Sequence, residues 1–76
     1  MYVGVSFGIA FCKREPRGDS GLEGYQLGDE YAFRRMESDD PNESPYYRVF
    51  PSFGNDYYET CSVPTFKKYF QEGQNA

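Results

Sequence analysis

The chain contains no histidine and no tryptophan, and it has only two cysteines and two methionines. Histidine is the commonest general base at neutral pH, so its absence argues against enzymes that depend on acid–base catalysis. Two cysteines without histidine also cannot form a structural zinc site. We therefore expect a protein that is not an enzyme, with no catalytic residue, no metal and no other cofactor.

Cysteine is too scarce for the disulfide-dense frameworks of small secreted domains. A single Cys12–Cys61 disulfide is possible if their strands are neighbours, but we favour two free, buried thiols in a reducing compartment. The apolar run before Lys13 lacks the preceding basic residue and the cleavage site of a signal peptide. The run is also too short to cross a bilayer. We expect a cytoplasmic protein without membrane contact.

Basic residues are outnumbered, with eight Lys and Arg against twelve Asp and Glu and a net charge of -4. A protein that holds duplex nucleic acid by neutralising phosphates needs the opposite balance, so direct nucleic-acid binding is not expected. An acidic chain is better matched to a basic partner. The 76 residues suffice for one domain, spanning residues 1–76.

Aromatic residues are abundant, with eight tyrosines and seven phenylalanines. Large rings fill a core with few residues, which a small chain requires, so we expect most of these rings inside. Tyrosine also suits half-solvated positions and protein contact surfaces.

The N-terminal segment from Tyr2 to Cys12 has a period of two, which predicts a strand with one strongly apolar face. Gly4 and Gly8 lie among the small residues between, and they indicate a bend, a bulge or a close backbone approach. The alternating apolar residues are Val3, Val5, Phe7, Ile9 and Phe11.

Three more strands are predicted downstream. Tyr31 and Phe33 share one face of the second strand, and Tyr47 and Val49 share one face of a third strand from Tyr46 to Pro51. A hairpin over residues 52–56, in which Gly54 and Asn55 both suit positive φ, leads to a returning strand over residues 57–61.

The last segment changes to helical spacing, with Phe66, Tyr69 and Phe70 on one face. Ser62 can cap the start of this helix and Gly73 can end it. The expected fold is mainly β, a small curled antiparallel sheet of four to five strands with a short C-terminal helix. An α+β arrangement is the alternative.

Three motifs follow one another from Gly24 onward. They are Leu27-Gly28-Asp29-Glu30-Tyr31, Tyr46-Tyr47-Arg48-Val49 and Phe66-Lys67-Lys68-Tyr69-Phe70. These motifs resemble a group of very short proteins of phages and mobile elements with an SH3-like barrel. The resemblance implies a barrel and an origin in a mobile element, and it carries over no catalytic residue. By analogy, it implies a soluble inhibitor of a host nucleic-acid-handling or defence protein, of the anti-CRISPR type, acting in the host cytoplasm.

Acidic residues and one tyrosine around three turns form the candidate site for a host protein with a basic surface. They are equally well explained as ordinary solvated charges. If the strands pair in sequence order, the acids near Asp56 lie at the opposite end of the sheet from those near Asp39. The candidate residues are Asp29, Glu30, Glu37, Asp39, Asp40, Glu43, Asp56, Tyr57 and Glu59.

A single-stranded nucleic-acid-binding module is the alternative function. Sheets of this type can present rings on which unpaired bases stack, with Arg34, Arg35 and Arg48 beside them. The competing interpretation places the rings in the core and pairs the arginines with carboxylates across strands. The sequence leaves open whether the protein is a monomer or a homodimer.

Overall fold

The computed structural model describes residues 1–16, 22 and 24–73. The strands are β1 (Tyr2–Cys12), β2 (Glu30–Ser38), β3 (Tyr46–Phe50), β4 (Glu59–Ser62) and β5 (Phe70–Glu72), and the helix α1 covers Val63–Tyr69. The strands form one antiparallel sheet in the order β4-β3-β2-β1-β5. This sheet curls into a half-barrel, so the predicted mainly β fold with a short helix near the C-terminus is confirmed.

Strand β1 has the predicted bounds, and its aromatic and β-branched residues suit a pleated strand. A β-bulge interrupts its pairing with β2 between Gly4 and Ser6, and Val5 is the extra residue. A Cβ atom at Gly4 would lie only 2.7 Å from Cδ of Arg34. Glycine at this position therefore allows the arginine side chain to lie across the strand, so the bulge expected near the glycines is present, whereas the close neighbour of Gly4 is a side chain and not a backbone.

The bulge corrects the prediction of one continuous apolar face on β1. Val3 lies opposite Glu37, whereas Phe7 lies opposite Arg34, and these two β2 residues point to opposite faces because they are three positions apart. After the bulge, the apolar row lies on the solvent side, where Phe7 is 62% exposed and Ile9 is 39% exposed. The small residues of the strand face the core instead.

The inner face of the sheet, which we define as the face that packs against α1, carries the core. The alternation predicted for the second and third strands is confirmed, since the residues predicted to share a face point inward together. The sheet residues of this buried cluster are Ala10, Cys12, Tyr31, Phe33, Tyr47, Val49, Cys61 and Phe70.

Phe66 of α1 lies at the centre of the buried rings. It stacks on Tyr47 with centroids 3.8 Å apart, and it contacts Phe33 at 5.2 Å and Phe70 at 5.4 Å. The expectation that most rings are buried is wrong. The chain has eight tyrosines and seven phenylalanines, and seven of these rings in total are buried. Four more are partly buried and four are exposed.

Helix α1 begins at the predicted cap, where the Ser62 hydroxyl accepts a hydrogen bond from the Thr65 amide. The predicted end at Gly73 is wrong. Phe70 adopts an extended conformation with φ -127° and pairs with Cys12 as the first residue of β5. A buried ring and a strand partner therefore end the helix, and β5, which was not predicted, extends the sheet beyond β1.

The connection between β3 and β4 is a loop whose predicted details hold in part. Gly54 has φ +79°, whereas Asn55 does not share the predicted positive φ. Asn55 contributes through its side chain, because its Oδ1 atom accepts a hydrogen bond from the Tyr57 amide. The returning strand begins at Glu59, two residues later than predicted.

Candidate binding surface

The outer face of the sheet, which we define as the face opposite α1, carries two arginines side by side. In the strand registers, Arg34 lies opposite both Phe7 and Arg48, and Arg48 lies opposite Thr60. These four residues form one row across β1 to β4. The two arginines occupy its centre, on adjacent strands.

Both guanidinium groups lie against aromatic rings. The guanidinium carbon of Arg34 lies 5.6 Å from the centroid of the Phe7 ring. That of Arg48 lies 4.5 Å from the centroid of Tyr58, and its Nη2 atom donates to the Tyr46 hydroxyl at 3.2 Å. Such contacts orient an arginine without neutralising it.

Neither guanidinium has a carboxylate within ion-pair distance in the part of the chain that the structure describes. Like charges directly opposite on adjacent strands are destabilising, so the pair places uncompensated positive charge at the centre of the outer face. The expectation that arginines pair with carboxylates across strands is therefore not met at Arg34 and Arg48. Arg35 does bind a carboxylate at 2.7 Å, that of Glu37 on its own strand.

Beside the arginine row, the outer face is apolar. Ile9, Ala32 and Phe50 form the next row, because the registers pair Ala32 with both of the others. A groove between this row and the β3–β4 loop is lined by Phe7, Phe50 and Phe53, with Ala32 between them. Phe53 is 64% exposed, so two of the three phenylalanine rings of the groove present much of their surface to solvent.

The predicted acidic site residues separate into two groups at opposite ends of the sheet. The first group surrounds the β2–β3 loop and is partly compensated within the chain. The N-terminal ammonium of Met1 donates to Asp39 at 3.3 Å and to Glu43 at 3.2 Å. Glu43 also accepts a hydrogen bond from the Ser38 hydroxyl. This hydrogen bond, followed by that from the Met1 ammonium, holds the pKa of the Glu43 carboxyl below its usual value.

Two further acids of the first group have local partners. Glu37 is paired with Arg35, and the Asp40 carboxylate accepts a hydrogen bond from the Asn42 amide at 2.9 Å. These contacts give the group a structural role in fixing the loop and the chain terminus.

The second group lies where β2 begins and the β3–β4 loop ends. Asp29, Glu30 and Asp56 are exposed, and none of them has an ion pair with a described residue. Tyr57 is 59% exposed and donates to Glu59 at 3.4 Å. Asp56 also borders the apolar groove, so the second group adjoins the outer face.

Sequence patterns indicated the acidic residues but not the apolar groove. The signal was present in the alternation of β1 and in Phe53, which lies in a polar loop. Assigning these residues to one surface required the position of the bulge and the register of β2 against β3. Both depend on contacts between residues distant in sequence.

Cys12 and Cys61 are free and buried, in agreement with the favoured prediction. Burial, followed by the nearby Glu59 carboxylate, raises the pKa of Cys61 to about 12. Burial also raises the pKa of Cys12. Thiolate is the nucleophilic form of cysteine, so both groups are poorly disposed for nucleophilic chemistry at neutral pH.

Within residues 1–16, 22 and 24–73, no three His, Cys, Asp or Glu side chains are grouped as they would be around a metal ion. Among the same residues, no helix has the length and apolar character needed to cross a membrane. Comparison with protein-family models, curated proteins and solved structures finds no match to this chain.

Proposed function

We propose that the chain is a non-enzymatic protein-binding module whose contact surface is the outer face of the sheet. The observation that carries the proposal is the groove lined by Phe7, Phe50 and Phe53, in which Phe7 is 62% exposed and Phe53 is 64% exposed. Exposed apolar patches bordered by polar residues mark interaction sites, and aromatic and arginine side chains dominate binding hot spots.

Acidic residues at one end of this surface support a partner that carries basic residues at the edge of the contact. Asp29, Glu30 and Asp56 lie at one end without an ion-pair partner among the described residues. Carboxylates placed in this way steer a basic surface toward the contact and accelerate association. The acids of the β2–β3 loop contribute to this steering less, because the N-terminal ammonium and Arg35 offset two of their four charges.

A host protein that handles nucleic acid or provides defence is the partner class we propose, with the chain acting as a cytoplasmic inhibitor encoded by a phage or mobile element. This part rests on the resemblance of the three motifs from Gly24 onward, together with the net charge of -4. An acidic inhibitor can occupy a basic groove that otherwise receives nucleic acid.

The test compares two variants of nearly equal exposure. Phe53→Ser removes a ring of the groove, whereas Leu27→Ser alters a residue that is 63% exposed in the turn before β2. The tagged wild-type chain is used to capture partners from a host lysate, and binding of the identified partner is then measured for both variants. We expect Phe53→Ser to weaken binding at least about tenfold, as a hot-spot loss does, and Leu27→Ser to leave it unchanged.

Equal binding by both variants would reject the outer face as the contact surface. Charge reversal of Asp39 and Asp40 serves as a separate probe of steering. We expect the reversal to lower the association rate and its salt dependence while the fold is retained, and unchanged association would remove these two acids from the site.

A single-stranded nucleic-acid-binding function is the second candidate, favoured by Arg34 and Arg48, which lie beside exposed rings and have no ion pair with a carboxylate of the described residues. Base stacking on such rings tolerates any sequence. A fluorescence titration with labelled oligonucleotides at low salt tests it. Saturable micromolar binding that disappears in Arg34→Gln would favour this candidate over the protein-binding module.

A further inference from the structure

We infer that the groove receives a bulky apolar side chain of a peptide segment in the partner, and that Arg34 binds a carboxylate adjacent to that side chain. This inference rests on the proposed function and names the chemistry that the outer face would recognise. The ligand is therefore an acidic, apolar peptide segment within a partner surface that is otherwise basic.

The apolar half of the inference follows from the composition of the groove. Phe7, Phe50 and Phe53 line it, and the rings of Phe7 and Phe50 contact each other with centroids 6.5 Å apart, so the open space lies between this ring pair and the β3–β4 loop. A phenylalanine or leucine side chain inserted here would bury its own surface and that of the exposed rings. Apolar burial is the main favourable contribution in such pockets.

The anionic half follows from the neighbouring row. The guanidinium of Arg34 lies over the Phe7 ring, which also forms one wall of the groove. Arg48 is its cross-strand partner, and no described carboxylate compensates either charge. The guanidinium of Arg48 lies on the other side, against Tyr46 and Tyr58, so a carboxylate beside the groove would accept its charge-assisted hydrogen bonds from Arg34.

The distribution of acids favours a peptide over a nucleic-acid strand. An oligonucleotide carries one phosphate per nucleotide. An oligonucleotide that lies along the outer face across the arginine row would therefore bring further phosphates near Asp56 or Glu30 at one end of the sheet. A peptide can place a single carboxylate at Arg34 and neutral or basic residues at the acids. Charge complementarity therefore distinguishes the two ligands even though both have flat or apolar groups.

The experiment is an NMR titration of the isotopically labelled full chain with two small probes. The first is N-acetyl-phenylalanyl-glutamate amide, and the second is its neutral glutamine counterpart, which has the same shape. Each probe is added to the wild type, to Arg34→Gln and to Lys67→Gln. Lys67 is an exposed residue of α1, so its replacement serves as the matched control. Backbone spectra of the variants establish that each is folded.

We expect the acidic probe to shift the resonances of Phe7, Ala32 and Phe53 and to bind about three- to fivefold more tightly than the neutral probe, the range of an exposed ion pair. The preference should disappear in Arg34→Gln and persist in Lys67→Gln. Equal affinity for both probes in the wild type would overturn the carboxylate site while leaving the proposed protein-binding function in place.

Two further outcomes would also overturn the inference. In the first, neither probe shifts the resonances of the groove residues at concentrations up to the millimolar range. In the second, the probes shift only resonances of α1. Saturable binding of a short thymidine oligonucleotide on the same residues, with no response to the peptides, would overturn both the inference and the proposed protein partner. The Phe53→Ser capture experiment separates these failures, because it does not depend on the carboxylate.

Discussion

Replacement of Phe66 by alanine tests whether the helix is held to the sheet by its ring. Phe66 is only 1% exposed and contacts three other buried rings, including the stacked ring of Tyr47 at 3.8 Å. A buried phenylalanine covers roughly 200 Å², which at about 25 cal/mol per Å² corresponds to about 5 kcal/mol as an upper value. Measured losses for such changes are about 3–5 kcal/mol.

The matched control is Phe53→Ala, which removes the same atoms from a side chain that is 64% exposed. Roughly a third of the area is buried there, so the expected loss is at most about 1.8 kcal/mol. A chain of 76 residues has a total stability of about 4–11 kcal/mol. Phe66→Ala should therefore remove a large share of the stability, and the control should not.

The assay is urea denaturation followed by far-ultraviolet circular dichroism, with the slope of the free energy against urea compared among variants. We expect a lower midpoint for Phe66→Ala at an unchanged slope. A loss of less than about 1 kcal/mol, or equal losses in the two variants, would refute the arrangement in which α1 packs on the inner face.

Three other perturbations have defined outcomes. Ser62→Ala should cost about 1 kcal/mol in urea melts, because it removes the acceptor of the Thr65 amide, and no loss would contradict the cap. The pKa of Glu43 is lowered in the folded chain, so its stabilisation is present above the unfolded value of about 4.3 and is lost as pH falls through the folded value. Glu43→Gln should therefore flatten the acid limb of stability against pH, and an unaltered limb would contradict this. Both cysteines should react with a thiol reagent only after unfolding, because burial raises the pKa of each; rapid reaction of the native chain would contradict the burial.

Local patterns predicted most of the strands and the start of the helix. The period of two predicted the bounds of β1 and the face shared by Tyr47 and Val49, and the capping preference of serine predicted the start of the helix at Ser62. Each of these depends on neighbouring residues alone. The bulge at Val5 could not be predicted in the same way, because an extra residue in one strand is defined only against its partner strand.

The helix end shows a similar limit. Phe70 satisfies the helical spacing from Phe66, but its pairing with Cys12 draws it into β5. The candidate surface depends on the same kind of distant contact. Arg34 and Arg48 become neighbours only through the register of β2 and β3. The acids, in contrast, are close together in the sequence, so their clusters could be identified without the structure.

The most direct test of the binding account is a cross-saturation NMR measurement on the complex of the labelled chain with its captured partner. Signal loss on irradiation of the partner identifies the residues in contact. The account predicts loss at the outer face, centred on Phe7, Phe50 and Phe53, with α1 unaffected. Loss concentrated on α1, or confined to the loop around Asp39 and Asp40, would contradict it.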